Sequence, residues 1–189
     1  TALFNYLYAK NNNGTFLLRI EDTDRQRSED RYTDQILESL HWLGLDYDGV
    51  PIKQSSRNKR YQEVIKDLLE SGLAYRCFST EDELSDLRDK TSSYLYPRIW
   101  RDRSQKDINQ KLKSNELYTI RLRIPLEGQI KFKDIIYGDI KTDYKELDDF
   151  IIARSDGSPT YNFTVVVDDH DMKISHVIRG EDHISNTPK

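Results

Sequence analysis

Leu3, Phe4, Leu7 and Tyr8 recur at three- and four-residue intervals and predict a helix over residues 1–10, closed by the turn signal Asn-Asn-Asn-Gly at 11–14. The apolar run of residues 15–20 has the length of a buried strand, and it ends on three acids, Glu21, Asp22 and Asp24. Helical spacing returns with Thr33, Ile36, Leu37, Leu40 and Leu43, and Gly44 stands where a C-terminal cap belongs. LDYDGVPIKQSS reads as a loop; beyond it Tyr61, Val64, Ile65, Leu68 and Leu69 form the stripe of another amphipathic helix, closed by Gly72. Helix, strand, helix, helix is the punctuation of an α/β fold.

The pattern changes after Ala74. AYRCF predicts a strand, and STEDELSDLRDK a helix with Thr80 and Glu83 in capping-box spacing. A stretch without period, SSYLYPRIWRDRS, leads to a short polar helix and three strand-like runs, YTIRLRI, QIKFKD and IIYGDIK. Near Asp148 the α/β pattern resumes: FIIAR as a strand, SDGSPT as a turn, YNFTVVVDDHDM as an apolar run ending in acids, and HVIRG as a short strand. Open parallel sheets bind ligands at the carboxyl ends of their strands, and Ile20/Glu21 and Ile178/Arg179 are both such ends. A helix that starts at the first residue and NTPK at the last predict an internal segment of a longer protein.

Composition narrows the class. With 36% hydrophobic and 33% charged residues among 189, a well-solvated globular protein is expected, and no apolar run approaches a bilayer span. One cysteine, Cys77, excludes an internal disulfide and a multi-cysteine zinc site, and fits a reducing cytoplasm. The net charge of -4 argues against nucleic acid coating the whole surface, yet residues 98–133 hold ten Lys or Arg against four Asp or Glu. That shift marks a separate module over residues 76–146, between parts of another domain at 1–75 and 147–189.

Four stretches carry candidate chemistry. In Glu21-Asp22-Thr23-Asp24 the calcium-loop reading fails, because Gln26 and Arg27 stand where a ligand and a glycine are needed. Helix capping accounts for Thr23, Asp24 and Ser28 but not for Glu21, whose carboxylate suits an ammonium group or, equally, a salt bridge to Arg19 or Arg25. Asp168-Asp169-His170-Asp171 has metal-ligand residue types, but adjacent side chains diverge, so a polar turn is the preferred reading. Arg179 offers a planar fork to a carboxylate, with a hydroxyl donor from Tyr161; an ion pair of Arg179 with Glu181 or Asp182 is the competing account. Tyr96, Arg98, Trp100, Arg101 and Arg103 combine phosphate-directed charge with ring faces on which bases stack, against the alternative of a solvated surface.

Together, FLLRIEDTDR, LESLHWLGLDYD, QSSRNKRYQ, LLESGLAYRCF and the run from LDDFIIARSDG to GEDHISNTPK closely resemble the bacterial-type glutamyl-tRNA synthetase family. The resemblance implies a Rossmann-like class I synthetase catalytic domain, a partial parallel sheet split by an inserted α+β module that holds the tRNA acceptor end. It implies ATP and magnesium as the means of activating L-glutamate to glutamyl-adenylate, which is then passed to the terminal adenosine of tRNA(Glu). By the family pattern Glu21 meets the substrate α-amino group, Tyr161 and Arg179 read the side-chain carboxylate, and Asp182 and His183 lie near the adenylate. A monomer without membrane association is expected, and no general base is named, because adenylation rests on in-line positioning and stabilisation of phosphate charge.

Departures from the family pattern also bear on function. The His-Ile-Gly-His-type and Lys-Met-Ser-Lys-Ser-type ATP motifs lie outside these residues, so the segment alone is expected to be inactive. Some members bind zinc through cysteines of the insert; with Cys77 alone, and Trp100 where some carry a second Cys, no metal site is expected. Three alternatives stay open: the shorter paralogue that glutamylates a modified base of tRNA(Asp), which usually diverges from DDHDM and GEDHISNT; glutaminyl-tRNA synthetase, which typically has Phe-Asp-Asp-Thr-Asn at residues 20–24; and a non-catalytic RNA-binding module.

Overall fold

The computed structural model describes residues 1–22, 29–91 and 95–189, so the capping residues Thr23, Asp24 and Ser28, like Arg25 and Tyr94, lie outside the described residues. The chain forms two compact units, residues 1–61 with 167–184, and residues 62–166 with 185–189.

In the first unit, α1 (Ala2–Asn11) is followed by β1 (Arg19–Ile20), α2 (Asp30–Trp42) and β2 (Ile52–Lys53). The two strands pair in parallel, Arg19 opposite Ile52 and Ile20 opposite Lys53. β2 lies inside LDYDGVPIKQSS, which reads locally as loop; its pairing partner is more than thirty residues distant in sequence, and no short window reveals it. Conversely, only the last two residues of the apolar run 15–20 are strand, although Phe16 and Ile20 are both buried. Phe16 is fixed by its backbone: its N–H donates to Asp48 Oδ2 and its carbonyl accepts from the Asp48 N–H.

α2 buries Leu40 and ends as the spacing predicts. Gly44 at φ +67° donates its N–H to the His41 carbonyl, and the Leu45 N–H reaches back to Leu40. This is a Schellman cap, in which a residue without Cβ takes the left-handed position. The start of α3 (Asn58–Glu70), with the fully buried Tyr61, also belongs to this unit.

The second unit holds the rest of α3, β3 (Ala74–Cys77), α4 (Glu81–Thr91), α5 (Gln105–Lys113), β4 (Thr119–Leu122), β5 (Gln129–Asp134), β6 (Gly138–Asp143), β7 (Ile151–Ala153) and the start of α6 (Tyr161–Asp171). β3, β4 and β7 form an antiparallel sheet in the order β3-β4-β7 around buried Tyr75, Cys77 and Ile152. β5 and β6 form a separate hairpin whose turn is fixed by Asp134 Oδ1, which accepts from the Ile136 and Tyr137 N–H groups. IIYGDIK is therefore half turn, with Ile135 and Ile136 exposed at the tip, and half strand.

Two expectations about the last forty residues are corrected. YNFTVVVDDHD is a helix, α6, so Asp168 to Asp171 form its last turn rather than a polar loop. Three consecutive valines favour extended backbone in isolation, but buried Phe163, Thr164, Val167 and Asp168 recur at helical spacing, and tertiary packing decides. HVIRG is not a strand: no strand pairs with it among the described residues, and Arg179 is exposed after an irregular segment.

Candidate functional site

Acidic and basic side chains from three elements of the first unit meet at the end of β1. Asp168, wholly buried in the last turn of α6, accepts hydrogen bonds from Gln54 Nε2 at 2.7 Å, Arg57 Nε at 2.6 Å and Tyr61 Oη at 2.9 and 3.0 Å. One turn on, Asp171 takes Arg60 Nε at 2.9 Å and a second bond from Arg57. Residues three apart on a helix share a face, so Arg57 with Arg60 and Asp168 with Asp171 form two matched pairs.

The environment shifts these groups in line with the contacts. Hydrogen bonds from Arg60, then Arg57, hold the Asp171 carboxyl well below the usual carboxylate range in spite of burial. Burial, then the hydrogen bond to Asp168, pushes the Tyr61 hydroxyl up. Burial works against the Arg57 charge, but its bonds to Asp168 and Asp171 outweigh that and hold it more firmly protonated than usual.

Glu21 lies just past this network. Arg19 Nη1 donates to Asp169 Oδ1 at 2.7 Å and Nη2 to Glu21 Oε1 at 3.3 Å. The salt bridge weighed against an ammonium contact is thus present, but it is long and leaves the Glu21 side chain 40% exposed. Asp22 is engaged elsewhere, accepting from the Ser55 N–H at 2.8 Å and the Ser55 hydroxyl at 2.6 Å, which ties the acidic stretch to QSSR. Arg179 belongs to the same unit and is exposed; Asp182 and His183, in the 3₁₀ turn Glu181–Asn186, pair with each other at 3.5 Å. Tyr161 opens α6 in the second unit and exposes more than half of its surface.

The second unit is organised around another buried carboxylate. Asp149, fully enclosed, receives Arg101 Nη1 on both oxygens at 2.9 and 2.8 Å, Tyr75 Oη at 2.8 Å and the Ile124 N–H at 3.1 Å. Arg98 Nε is 3.3 Å from it, and Arg121 donates to its backbone carbonyl and stacks 3.9 Å over the Tyr96 ring. Burial, then the hydrogen bond with Cys77, pushes Tyr96 up to about 12. Tyr96 and Arg101 are accordingly buried and engaged with protein groups, whereas Trp100 is part-exposed and Arg103, lying over its ring, is exposed. Trp100 also packs on Phe78 with ring centroids 5.0 Å apart.

Local reading took Asp168 and Asp171 for part of a polar turn rather than the centre of a network, and it did not single out Asp149. For Asp168 and Asp171 the usable signal was their three-residue interval matched by Arg57 and Arg60; for Asp149 no local signal exists, since its partners come from β3, the segment just after β4 and the irregular segment near Trp100.

The model for "tRNA synthetases class I (E and Q), catalytic domain" matches residues 1–189. A glutamate–tRNA ligase of Coprothermobacter proteolyticus is 50% identical over the whole chain, which covers 42% of that protein, and glutamate–tRNA ligase 2 of Coxiella burnetii is 51% identical over the whole chain, covering 40%. The chain thus spans about two-fifths of the length of these curated relatives. A crystal structure of a glutamate tRNA ligase from Elizabethkingia meningosepticum in complex with its amino acid superposes with a TM-score of 0.87 at 35% identity, over 99% of this chain and 41% of that one. With a matching family model along its entire length and relatives at half identity, the chain belongs to the class I tRNA synthetases for glutamate and glutamine, in their catalytic domain.

Proposed function

We propose that this chain is the central part of a glutamate–tRNA ligase, which activates L-glutamate with ATP and transfers it to the terminal adenosine of tRNA(Glu) in the cytoplasm, acting as a monomer. The observation that carries this reading is the 50% identity, over the whole chain, to relatives that bear that name. The related crystal structure described as in complex with its amino acid adds support for amino-acid binding by a protein of this family.

Glutamate carries one ammonium and two carboxylates, so its recognition needs an accessible carboxylate and at least one cation. Glu21 meets the first need: it ends a strand and keeps much of its surface open. In the proposal Arg179 and Tyr161 read the side-chain carboxylate, and Asp182 and His183 lie beside the adenylate. Preference for glutamate over glutamine follows from charge, because the Arg179 guanidinium attracts a carboxylate more strongly than a neutral amide. Magnesium enters with ATP as the counter-ion of its phosphates, as part of the nucleotide substrate.

Residues 76–146 form the inserted module for the tRNA acceptor end in this reading, between catalytic segments 1–75 and 147–189. Trp100 and Arg103 supply its stacking face and phosphate contact, while Arg98 and Arg101 hold their turn against Asp149 and the Tyr96 N–H donates to Asp148.

The test uses the full-length protein with unfractionated tRNA, ATP and labelled glutamate. Glutamate should be attached to tRNA, and Arg179→Ala should lower kcat/KM for glutamate about a hundredfold or more, as loss of a charge partner does. A near-parent kcat/KM in that variant would overturn the assignment of Arg179, and absence of glutamate transfer by the parent would overturn the function.

A further inference from the structure

Among the described residues, Glu21 is connected to the interior through the Arg19 side chain. Arg19 lies on β1 and projects beside the last turn of α6: Nη1 donates to Asp169 Oδ1 at 2.7 Å, Nε is 3.9 Å from Asp168 Oδ2, and Nη2 reaches Glu21 Oε1 at 3.3 Å. Residues two apart on an extended chain face the same way, so the guanidinium and the Glu21 carboxylate share a side of the strand. The Arg19 side chain is 15% exposed and rigidly planar, so fixing one edge of the fork on Asp169 sets the direction of the other.

Charge along this chain of contacts is uneven. From Glu21 to Arg60, four carboxylates, Glu21, Asp168, Asp169 and Asp171, meet three guanidiniums, Arg19, Arg57 and Arg60, among the described residues. Asp168, Asp169 and Asp171 each have a contact below 3 Å to a guanidinium, whereas Glu21 has only the contact at 3.3 Å, and its second oxygen has no partner among the described residues. Among the described residues the least compensated of these carboxylates is therefore Glu21, at the exposed end of the network, where a cation can reach it.

We propose that Arg19 is a positioning residue: clamped by Asp169, it orients the Glu21 carboxylate so that its open oxygen receives the substrate ammonium. The proposal rests on the reading of Glu21 as the ammonium acceptor, and one set of variants in the full-length enzyme separates the two. Arg19→Gln should raise the KM for glutamate about ten- to hundredfold, the worth of one charge-assisted hydrogen bond, with the KM for ATP within about twofold of the parent. In a Glu21→Gln background the same substitution should add less than about threefold, because the two residues act through one contact. Arg19→Lys keeps a charge beside Asp168 and Asp169 and guards against loss of fold; lacking the planar fork, it should give an intermediate KM.

An unchanged KM for glutamate in Arg19→Gln, or a parallel rise in both KM values, overturns the positioning role, as does full additivity with Glu21→Gln or a parent-like KM in Arg19→Lys. If Glu21→Gln itself leaves the KM for glutamate unaltered, the ammonium reading falls as well. If Glu21→Gln raises it and Arg19→Gln does not, only the role of Arg19 falls.

Discussion

Asp168 and Asp169 are neighbours with different consequences. Asp168 is wholly buried and neutralises Arg57 while accepting from Gln54 and Tyr61; Asp169 is 30% exposed and pairs with Arg19. Removing a buried partner leaves uncompensated polar groups inside the protein and costs about 3–5 kcal/mol, whereas a part-exposed pair is worth about 1 kcal/mol or less. Asp168→Ala should therefore lower the free energy of opening of α6 by several times as much as Asp169→Ala does. Amide hydrogen exchange in the last turn of α6, measured on the full-length protein, checks the ratio; equal effects would mean that the Asp168 network is not a buried one. Local sequence could not make this distinction. DDHD presents four polar residues in a row, and which of them faces the interior is set by the helix phase of residues 163–168.

Elements with a strong local signal were legible, and those that depend on a distant partner were not. The capping box is in the first group. Thr80 and Glu83 were identified by spacing, and the Glu83 N–H donates to Thr80 Oγ1 at 3.2 Å while Glu83 Oε2 accepts from the Thr80 N–H at 3.1 Å. Thr80→Ala removes one of these bonds and should destabilise α4 by about 1 kcal/mol, seen as faster amide exchange in its first turn with β3 unaffected. No change in α4 exchange would show that solvent replaces the cap without cost. The second group comprises β2, hidden in a loop-like stretch rich in turn residues, and HVIRG, whose apolar alternation suggests a strand that the described residues do not pair. α6 went unassigned for a third reason, since intrinsic preference and burial pattern disagree over its valines and burial prevails.

At the scale of the molecule the family was legible because long stretches such as RIEDTD and DDHDMKISHVIRGEDH combine several constraints at once, whereas the charge networks arise only when those stretches fold together. One of these networks predicts how the first unit responds to acid. Hydrogen bonds from Arg60 and Arg57 depress the Asp171 carboxyl below its ordinary 3.8, so the folded state releases that proton more readily than the unfolded chain. A depressed carboxyl contributes stability that is complete above the unfolded value and is lost as pH falls through the folded one. The first unit should thus hold its Asp171 contribution above about pH 5 and shed it progressively below about pH 4. Asp171→Asn removes the titrating group: the variant should be less stable than the parent at neutral pH, and the gap should narrow steadily as the pH is lowered below about 4. Amide exchange or far-ultraviolet circular dichroism across that range measures the gap directly. A difference that stays constant with pH would assign the effect to packing of the side chain, and the ion pairs of Asp171 with Arg57 and Arg60 would then contribute nothing to holding α6 against α3.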